Sequence, residues 1–362
     1  MKKNLSLLTI IFLIFSFVYW GKSGNMLIDF SRESYIPFQI LNGEKLVKDI
    51  FLIYGSFGYI FNALLYKISP NINLLLFEAS VVSYLSVIII YKILEKFLNK
   101  KESLLFSVLF IVTNIFSNST FSFTVPYSYS TLWAYFGSYL SFYFLLKKNF
   151  IFLFLTLGFV AINRIELFFE LLILYLVYIF YLTYKKFFSW KPILKSSLSI
   201  FIFPLLNSAY FLINKVSMAD IKNNIFFLKE MVKTSAIKYS YEGMGVFLSK
   251  EYFLDALPNL IFFILIFVLA YFLYKKRFKT VSYLILAIFL LKTDLNNAFN
   301  FIYFIIVPIS AVLIYKKKLK AKEIVFLLFS IVLCSKSIFK INPLGYSNFG
   351  YIFAITGLYL TL

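Results

Sequence analysis

Histidine is absent from this 362-residue chain, so proton transfer must fall to carboxylates, lysine or tyrosine. The first cluster able to do it is LIDFSRESYIPFQILNGEKLVKDIFLIYGS, from Leu27 to Ser56. Asp29, Arg32 and Glu33 stand at i, i+3 and i+4, so a short interfacial helix would carry them on one side. Ile36, Phe38, Ile40 and Leu41 would then face lipid, and Pro37 predicts a break in that helix. A second juxtamembrane helix is expected to start near Asp49 and run through Tyr54, Tyr59, Asn62 and Lys67. Two carboxylates, Asp29 and Asp49, would thus be held close to a membrane face. The same charges would also serve simply to solvate a loop and balance one another. The single cysteine, Cys334, excludes an intramolecular disulfide, and without histidine there are no imidazole ligands for a metal.

The elements that must position these groups are apolar. Hydrophobic residues make up 61% of the chain and charged residues 14%, far from the balance of a soluble domain. Segments near the length of a bilayer crossing, roughly 20 residues, recur throughout. They run Leu5 to Trp20, Asn73 to Tyr91, Ser103 to Ile115, Thr131 to Leu146, Phe150 to Ile162, Leu167 to Tyr184 and Ile193 to Ile213. Leu260 to Tyr274, Val281 to Leu291, Phe301 to Tyr315, Ile324 to Ser335 and a last apolar segment from Gly350 follow. The fold class expected is an all-α, polytopic transmembrane bundle of about 11–12 spans, residues 1–362 forming one membrane domain. With Lys2 and Lys3 on the cytoplasmic side, the alternating loops on that side gather 21 of the 36 basic residues and three of the 16 acids. The net charge of +20 is therefore read as the positive-inside bias of a membrane protein, and nucleic acid is not needed to explain it. The N-terminal run lacks a small-residue cleavage pattern and is read as a retained span. The extracytoplasmic segments are then residues 21–72, the polar FSNSTFSFTVPYSYS, a short NRIE turn, residues 214–259, and KTDLNNAFN.

DFSRESYIPFQILNGEKLVKDIFLIYGSFGYIFNALLYKI resembles the first outer loop of the GT-C superfamily of integral-membrane glycosyltransferases. Bacterial members show an acidic residue after the first span, an Arg-Glu or similar pair, and then G..LY.D....YGP leading to the second span. Asp29, Arg32, Glu33, Gly43, Leu46, Asp49, Tyr54 and Gly55 fit, with Val47 in place of the usual Tyr and Ser56 in place of the usual Pro. VPYSYS at Val125 to Ser130, NRIE at Asn163 to Glu166 and KTDLNNAF at Lys292 to Phe299 extend the likeness, the last resembling an R.D..H loop with Lys292 and Asn297 substituted.

The resemblance implies transfer of a sugar from a polyprenyl-phosphate donor to a glycan, lipid or protein acceptor at the extracytoplasmic face, with inversion by direct displacement. It makes Asp29 the general base and Asp49 a second acid that positions acceptor or donor, with Arg32 orienting Asp29 beside Glu33. No resident cofactor is implied with certainty, and two carboxylates alone leave a divalent cation open. For the departing phosphate Arg164 is favoured on its own setting: it is the one arginine between two apolar spans, where an ionisable residue needs a partner or a task. Glu166 would neutralise it, and Lys292 is a second candidate. Tyr54 and Tyr127 could hydrogen-bond sugar or phosphate, or anchor the interface. No glycine-rich nucleotide loop occurs, which suits a lipid-linked donor. The alternative function is a transporter or flippase of lipid-linked or anionic glycans, for which Glu78 and Glu170, inside expected spans, would be the coupling groups. Repeated halves with broken helices, common in transporters, are not visible. A polysaccharide polymerase or ligase would favour arginines in a large late outer loop, and residues 214–259 contain only lysines as basic residues.

Overall fold

Asn71 accepts a hydrogen bond from the Asn73 amide at 2.9 Å and opens the longest helix of the protein's described part. This computed structural model describes residues 2–22, 29–116, 123–126, 128–187, 189–234 and 319–333, with Val281 and Thr356 alone beyond these. The chain divides into two compact units, Met1–Glu230 and Met231–Leu362. Among the described residues the first is helical, with no strand, as α1 (Lys2–Tyr19), α2 (Asp29–Leu41), α3 (Phe57–Ile68), α4 (Ile72–Leu94), α5 (Lys100–Phe110) with a π turn at Ile111–Ile115, α6 (Tyr129–Lys147), α7 (Phe150–Ala161), α8 (Ile165–Tyr184), α9 (Trp190–Ser197), α10 (Ile202–Ile213) and α11 (Met218–Val232). In the second unit the described element is α12 (Ala321–Leu333), an apolar helix with Glu323 in its first turn, where the carboxylate accepts from the Lys320 amide at 2.8 Å.

Three helical stretches are long and apolar enough to cross a membrane by length and composition: α4, α8, and Trp190–Ile213, in which α9 and α10 continue through a 3-10 turn. They coincide with three of the expected spans. At 1.5 Å per residue the 23 residues of α4 reach about 35 Å, past an apolar bilayer core of about 30 Å. Its serines cause no exposure of polar groups, because Ser80, Ser83 and Ser86 donate to the carbonyls of Leu76, Ala79 and Val82. That back-bonding lets hydroxyls sit on a buried face. The helices α1 and α7 are apolar but shorter, and the expected spans after residue 259, apart from α12, lie outside the described residues.

α6 packs against α3, α4, α7 and α8. Buried Ser138, Ser141 and Tyr139 face its neighbours, and the Ser141 hydroxyl meets Tyr175 of α8 at 2.9 Å. α7 crosses so near the 3-10 turn that a Cβ on Gly158 would lie 2.1 Å from the Ile200 carbonyl oxygen. The opposite faces of α1, α8 and α10 expose Leu13, Phe17, Ile173, Phe180, Leu205 and Leu212, an apolar coat suited to lipid.

The first outer loop departs from expectation in three ways. The helix α2 does not break at Pro37 but runs through it to Leu41 and stops at Gly43, whose φ of +100° and amide bond to the Ile40 carbonyl at 3.1 Å form a C-terminal cap. Ile36 does not face lipid: it is buried with Leu46, Val47, Ile50 and Tyr59, and Ile40 packs against the same group. No helix starts near Asp49. Residues 45–50 form a tight turn in which the Asp49 carboxylate accepts from the Lys45 amide at 2.9 Å, and Val47 takes φ +73°. Helix α3 begins only at Phe57. Burial of Leu46, Val47 and Ile50 against α2 holds the turn and outweighs the local helical tendency.

Candidate functional site

Gly55 decides where the site forms. Its amide donates to the Asn163 carbonyl at 3.1 Å, and its carbonyl accepts from the Ser130 hydroxyl. A Cβ at Gly55 would stand 2.2 Å from the Ile162 carbonyl oxygen and 2.3 Å from the Asn163 Cα. Only glycine allows the backbone after Tyr54 to dock on the turn between α7 and α8, because backbone atoms cannot move aside as a side chain can. Gly55→Ala is therefore expected to destabilise the protein by about 1–3 kcal/mol or more, seen as a lowered thermal unfolding midpoint; an unchanged midpoint would show that this contact is not tight in solution.

The docking brings two of the chain's three arginines onto one aromatic ring. The Cζ of Arg164 lies 4.1 Å, and that of Arg32 5.0 Å, from the centre of the Tyr54 ring. Arg164 donates through Nε to the Thr131 hydroxyl at 3.0 Å, again through Nη2, and through Nη1 to Glu166 at 3.3 Å. Its side chain is 12% exposed and that of Glu166 41%. Arg32 forks onto Glu33 Oε1, with Nη2 at 2.8 Å and Nε at 3.1 Å.

Glu33 is the hub. It is fully buried, and besides Arg32 it accepts from the Tyr59 hydroxyl at 2.9 Å and the Tyr129 amide at 2.9 Å. Burial pushes its carboxyl above the ordinary glutamate range, opposed by Arg32, the Tyr129 amide and the Tyr59 hydroxyl. Burial also raises the Tyr59 phenol, with the Glu33 charge acting in the same direction, so Tyr59 stays a donor. The ionic partners of Arg32 and Arg164 differ in kind: one is enclosed and held by three donors, the other partly in solvent and held at 3.3 Å. An arriving anion competes more readily for Arg164. Two guanidiniums over one tyrosine ring suit a phosphate, which takes planar forked donors well.

Beside this node an apolar cavity of about 680 Å³ opens between α8, α10 and α11. Gly55 and Ile165, which follow Tyr54 and Arg164 in the chain, line it together with Ser56, Ile162, Phe169 and Phe201, while the three node residues themselves do not. Phe169 and Phe201 are each more than half exposed, so the cavity is open to the outside where α8 lies beside the 3-10 turn. Helix α11 covers another side: Asn224 accepts from the Leu52 amide at 2.7 Å and donates to the Leu52 carbonyl at 3.1 Å, while Phe227 stacks on Phe51 at 4.0 Å.

Of the residues singled out in the sequence, Arg32, Glu33, Tyr54, Arg164 and Glu166 meet here. Asp49 does not join them in any hydrogen bond: it is exposed and closes its own turn. The Asp29 backbone opens α2, but its side chain, with Tyr127 and Lys292, lies outside the described residues. Among the described residues no three metal-binding side chains come together. Thr131, Tyr59 and the Tyr129 amide were missed. The polar VPYSYS run before α6 was the available signal for that corner of the site, but nothing in it pointed to the adjoining Thr131. No protein-family model, curated protein or solved structure matches this chain.

Proposed function

We propose that this chain is a multispanning glycosyltransferase of GT-C type in a bacterial inner or plasma membrane, transferring a sugar from a polyprenyl-phosphate donor to an acceptor at the extracytoplasmic face. The observation that carries the reading is the Arg32–Tyr54–Arg164 node together with an apolar cavity lined by Gly55 and Ile165, the residues that follow Tyr54 and Arg164 in the chain. Such a site matches an amphiphilic anion, with phosphate against the guanidiniums and hydrocarbon among Ile165, Phe169 and Phe201. In the proposed reaction Asp29 takes the proton of an acceptor hydroxyl. The hydroxyl oxygen bonds to the anomeric carbon as the bond from that carbon to the phosphate oxygen breaks, with inversion. The prenyl phosphate leaves with the electron pair, and its added charge falls on Arg164 and Arg32. The donor and acceptor then need no nucleotide site, in keeping with the absence of a glycine-rich loop.

The transporter reading asks Glu78 and Glu170 to line an open path; Glu170 of α8 is partly buried. Glu78 is only 6% exposed and its carboxylate is held by Trp133 at 2.9 Å, which speaks for a structural carboxyl.

The test uses full-length protein in nanodiscs. Dodecyl phosphate is expected to bind more tightly than dodecanol, and isolated membranes are expected to transfer label from a prenyl-phosphate sugar. Equal affinity for the two amphiphiles would remove the anion site and the reading with it. Asp29→Asn is expected to lower transfer about tenfold or more without changing dodecyl phosphate affinity, and full transfer by that variant would reject Asp29 as the base.

A further inference from the structure

Glu33 is one of two buried carboxylates caught between the same pair of helices. The other, Glu78 of α4, sits one turn further along both. On α3, Tyr59 serves Glu33 and Asn62, three residues on, serves Glu78. On α6, the Tyr129 amide serves Glu33 and Trp133, four residues on, serves Glu78. Trp133 Nε1 donates to Glu78 Oε1 at 2.9 Å. Asn62, with its amide turned so that both its atoms are satisfied, donates to Glu78 Oε2 and to the Gly58 carbonyl. The Tyr129 hydroxyl adds a second tie between α6 and α4 by donating to the Leu75 carbonyl at 2.7 Å.

Among the described residues the ion pairs are Arg32 with Glu33 and Arg164 with Glu166, so the partners of Glu78 here are neutral donors. Placing a carboxyl in an apolar helix without a cation is unfavourable relative to an apolar residue. What it supplies in return is direction. A leucine at this position would fill space but would not fix how far α3 and α6 rotate about their axes, whereas two hydrogen bonds would. That rotation matters because four contacts of the site sit on the first turns of α6. The Tyr129 amide holds Glu33, Ser130 holds the Gly55 carbonyl, Thr131 holds Arg164, and Trp133 holds Glu78. The rings of Phe57, Phe61 and Phe159 stand edge-on to Trp133 at 5.2, 5.5 and 5.8 Å and keep water from this pairing.

We propose that Glu78 is a positioning residue for the anion site: by holding Asn62 and Trp133 it sets the rotation of α3 and α6, and so aims Tyr59 and the Tyr129 amide at Glu33 and Thr131 at Arg164. The inference rests on the reading of the Arg32–Tyr54–Arg164 node as a phosphate site.

The experiment measures, in nanodiscs of full-length protein, the ratio of dodecyl phosphate affinity to dodecanol affinity, which isolates the phosphate contribution from tail packing and from overall stability. Glu78→Leu is expected to reduce that ratio about tenfold, equivalent to about 1.4 kcal/mol. Glu78→Gln is expected to stay within about threefold of wild type, since its oxygen still accepts from Trp133 and its amide can donate to the Asn62 oxygen once that side chain swings back by half a turn. An unchanged ratio in Glu78→Leu overturns the proposal, as does a Gln variant that falls as far as the Leu variant, which would assign the effect to charge instead of to directed bonds. Should Glu78→Leu not fold, Trp133→Phe deletes one donor while keeping an aromatic ring; its ratio is expected to fall about threefold, and a wild-type ratio there overturns the proposal equally. The wild-type ratio reports on the phosphate site and the variants report on Glu78: a wild-type ratio of one defeats the underlying reading, and this inference with it.

Discussion

Replacing Arg164 with alanine is expected to reduce sugar transfer from a prenyl-phosphate donor by about 100- to 1,000-fold, the scale of losing one aimed donor to a developing negative charge. The residue occupies a setting from which nothing else can substitute. Its guanidinium lies over Tyr54, forks onto Thr131 and reaches Glu166, while the other cation of the node, Arg32, is tied by two bonds to a buried carboxylate. Arg164→Lys keeps a charge but not the planar fork, so it cannot lie over the ring and bond Thr131 and Glu166 together; an intermediate loss is expected. The measurement is kcat/KM for the donor, with the thermal midpoint alongside. Arg164 is 12% exposed and its contacts to Thr131 and Tyr54 are lost in the alanine variant, which should unfold at a lower temperature than wild type, so transfer is compared where both proteins are folded. Transfer at the wild-type rate would show that the phosphate is stabilised elsewhere.

Glu33→Ala is expected to be the most damaging single change to stability, about 3–5 kcal/mol, because it removes the buried member of an ion pair and strands two donors on the buried residues Tyr59 and Tyr129. The deletion leaves Arg32, the Tyr59 hydroxyl and the Tyr129 amide without their acceptor, and those three groups come from α2, α3 and α6. Glu33→Gln offers an acceptor of the same shape but no charge for Arg32, and should lie between alanine and wild type. Glu166→Ala is the internal comparison: that pair is partly exposed and its loss is worth less than about 1 kcal/mol. Thermal unfolding of the three variants in the same detergent gives the order. If Glu33→Ala and Glu166→Ala unfold together, Glu33 is not the hub that its burial implies.

The residues differ in how far the sequence alone revealed them. Arg164 stood out because an arginine between apolar runs is unfavourable without partners, and its partners are there. α2 could be foreseen from the spacing of Asp29, Arg32 and Glu33, but not its passage through Pro37, since burial of Ile36 against the 45–50 turn is a long-range contact. The helix expected from Asp49 failed for a related reason. That segment is held by Asn224 from α11 and by the Asn163 carbonyl, partners more than a hundred residues away.

What the sequence determined by itself is what depends on neighbours along the chain: the apolar stretches matching α4, α8 and Trp190–Ile213, the lysine bias of the loops, the lack of histidine and its chemical consequence, and the candidacy of Arg164. Hydropathy and length are local sums, and a charge in an apolar run is unfavourable whatever lies across from it. The tertiary structure alone decided that Tyr54 receives both guanidiniums, that Glu33 is the buried hub of Arg32, Tyr59 and the Tyr129 amide, that Glu78 pairs with Trp133 and Asn62, and that Asp49 is exposed. Each of these depends on close backbone approach, above all at Gly55. Such contacts are set by packing between helices distant in sequence, which no pattern within one segment encodes.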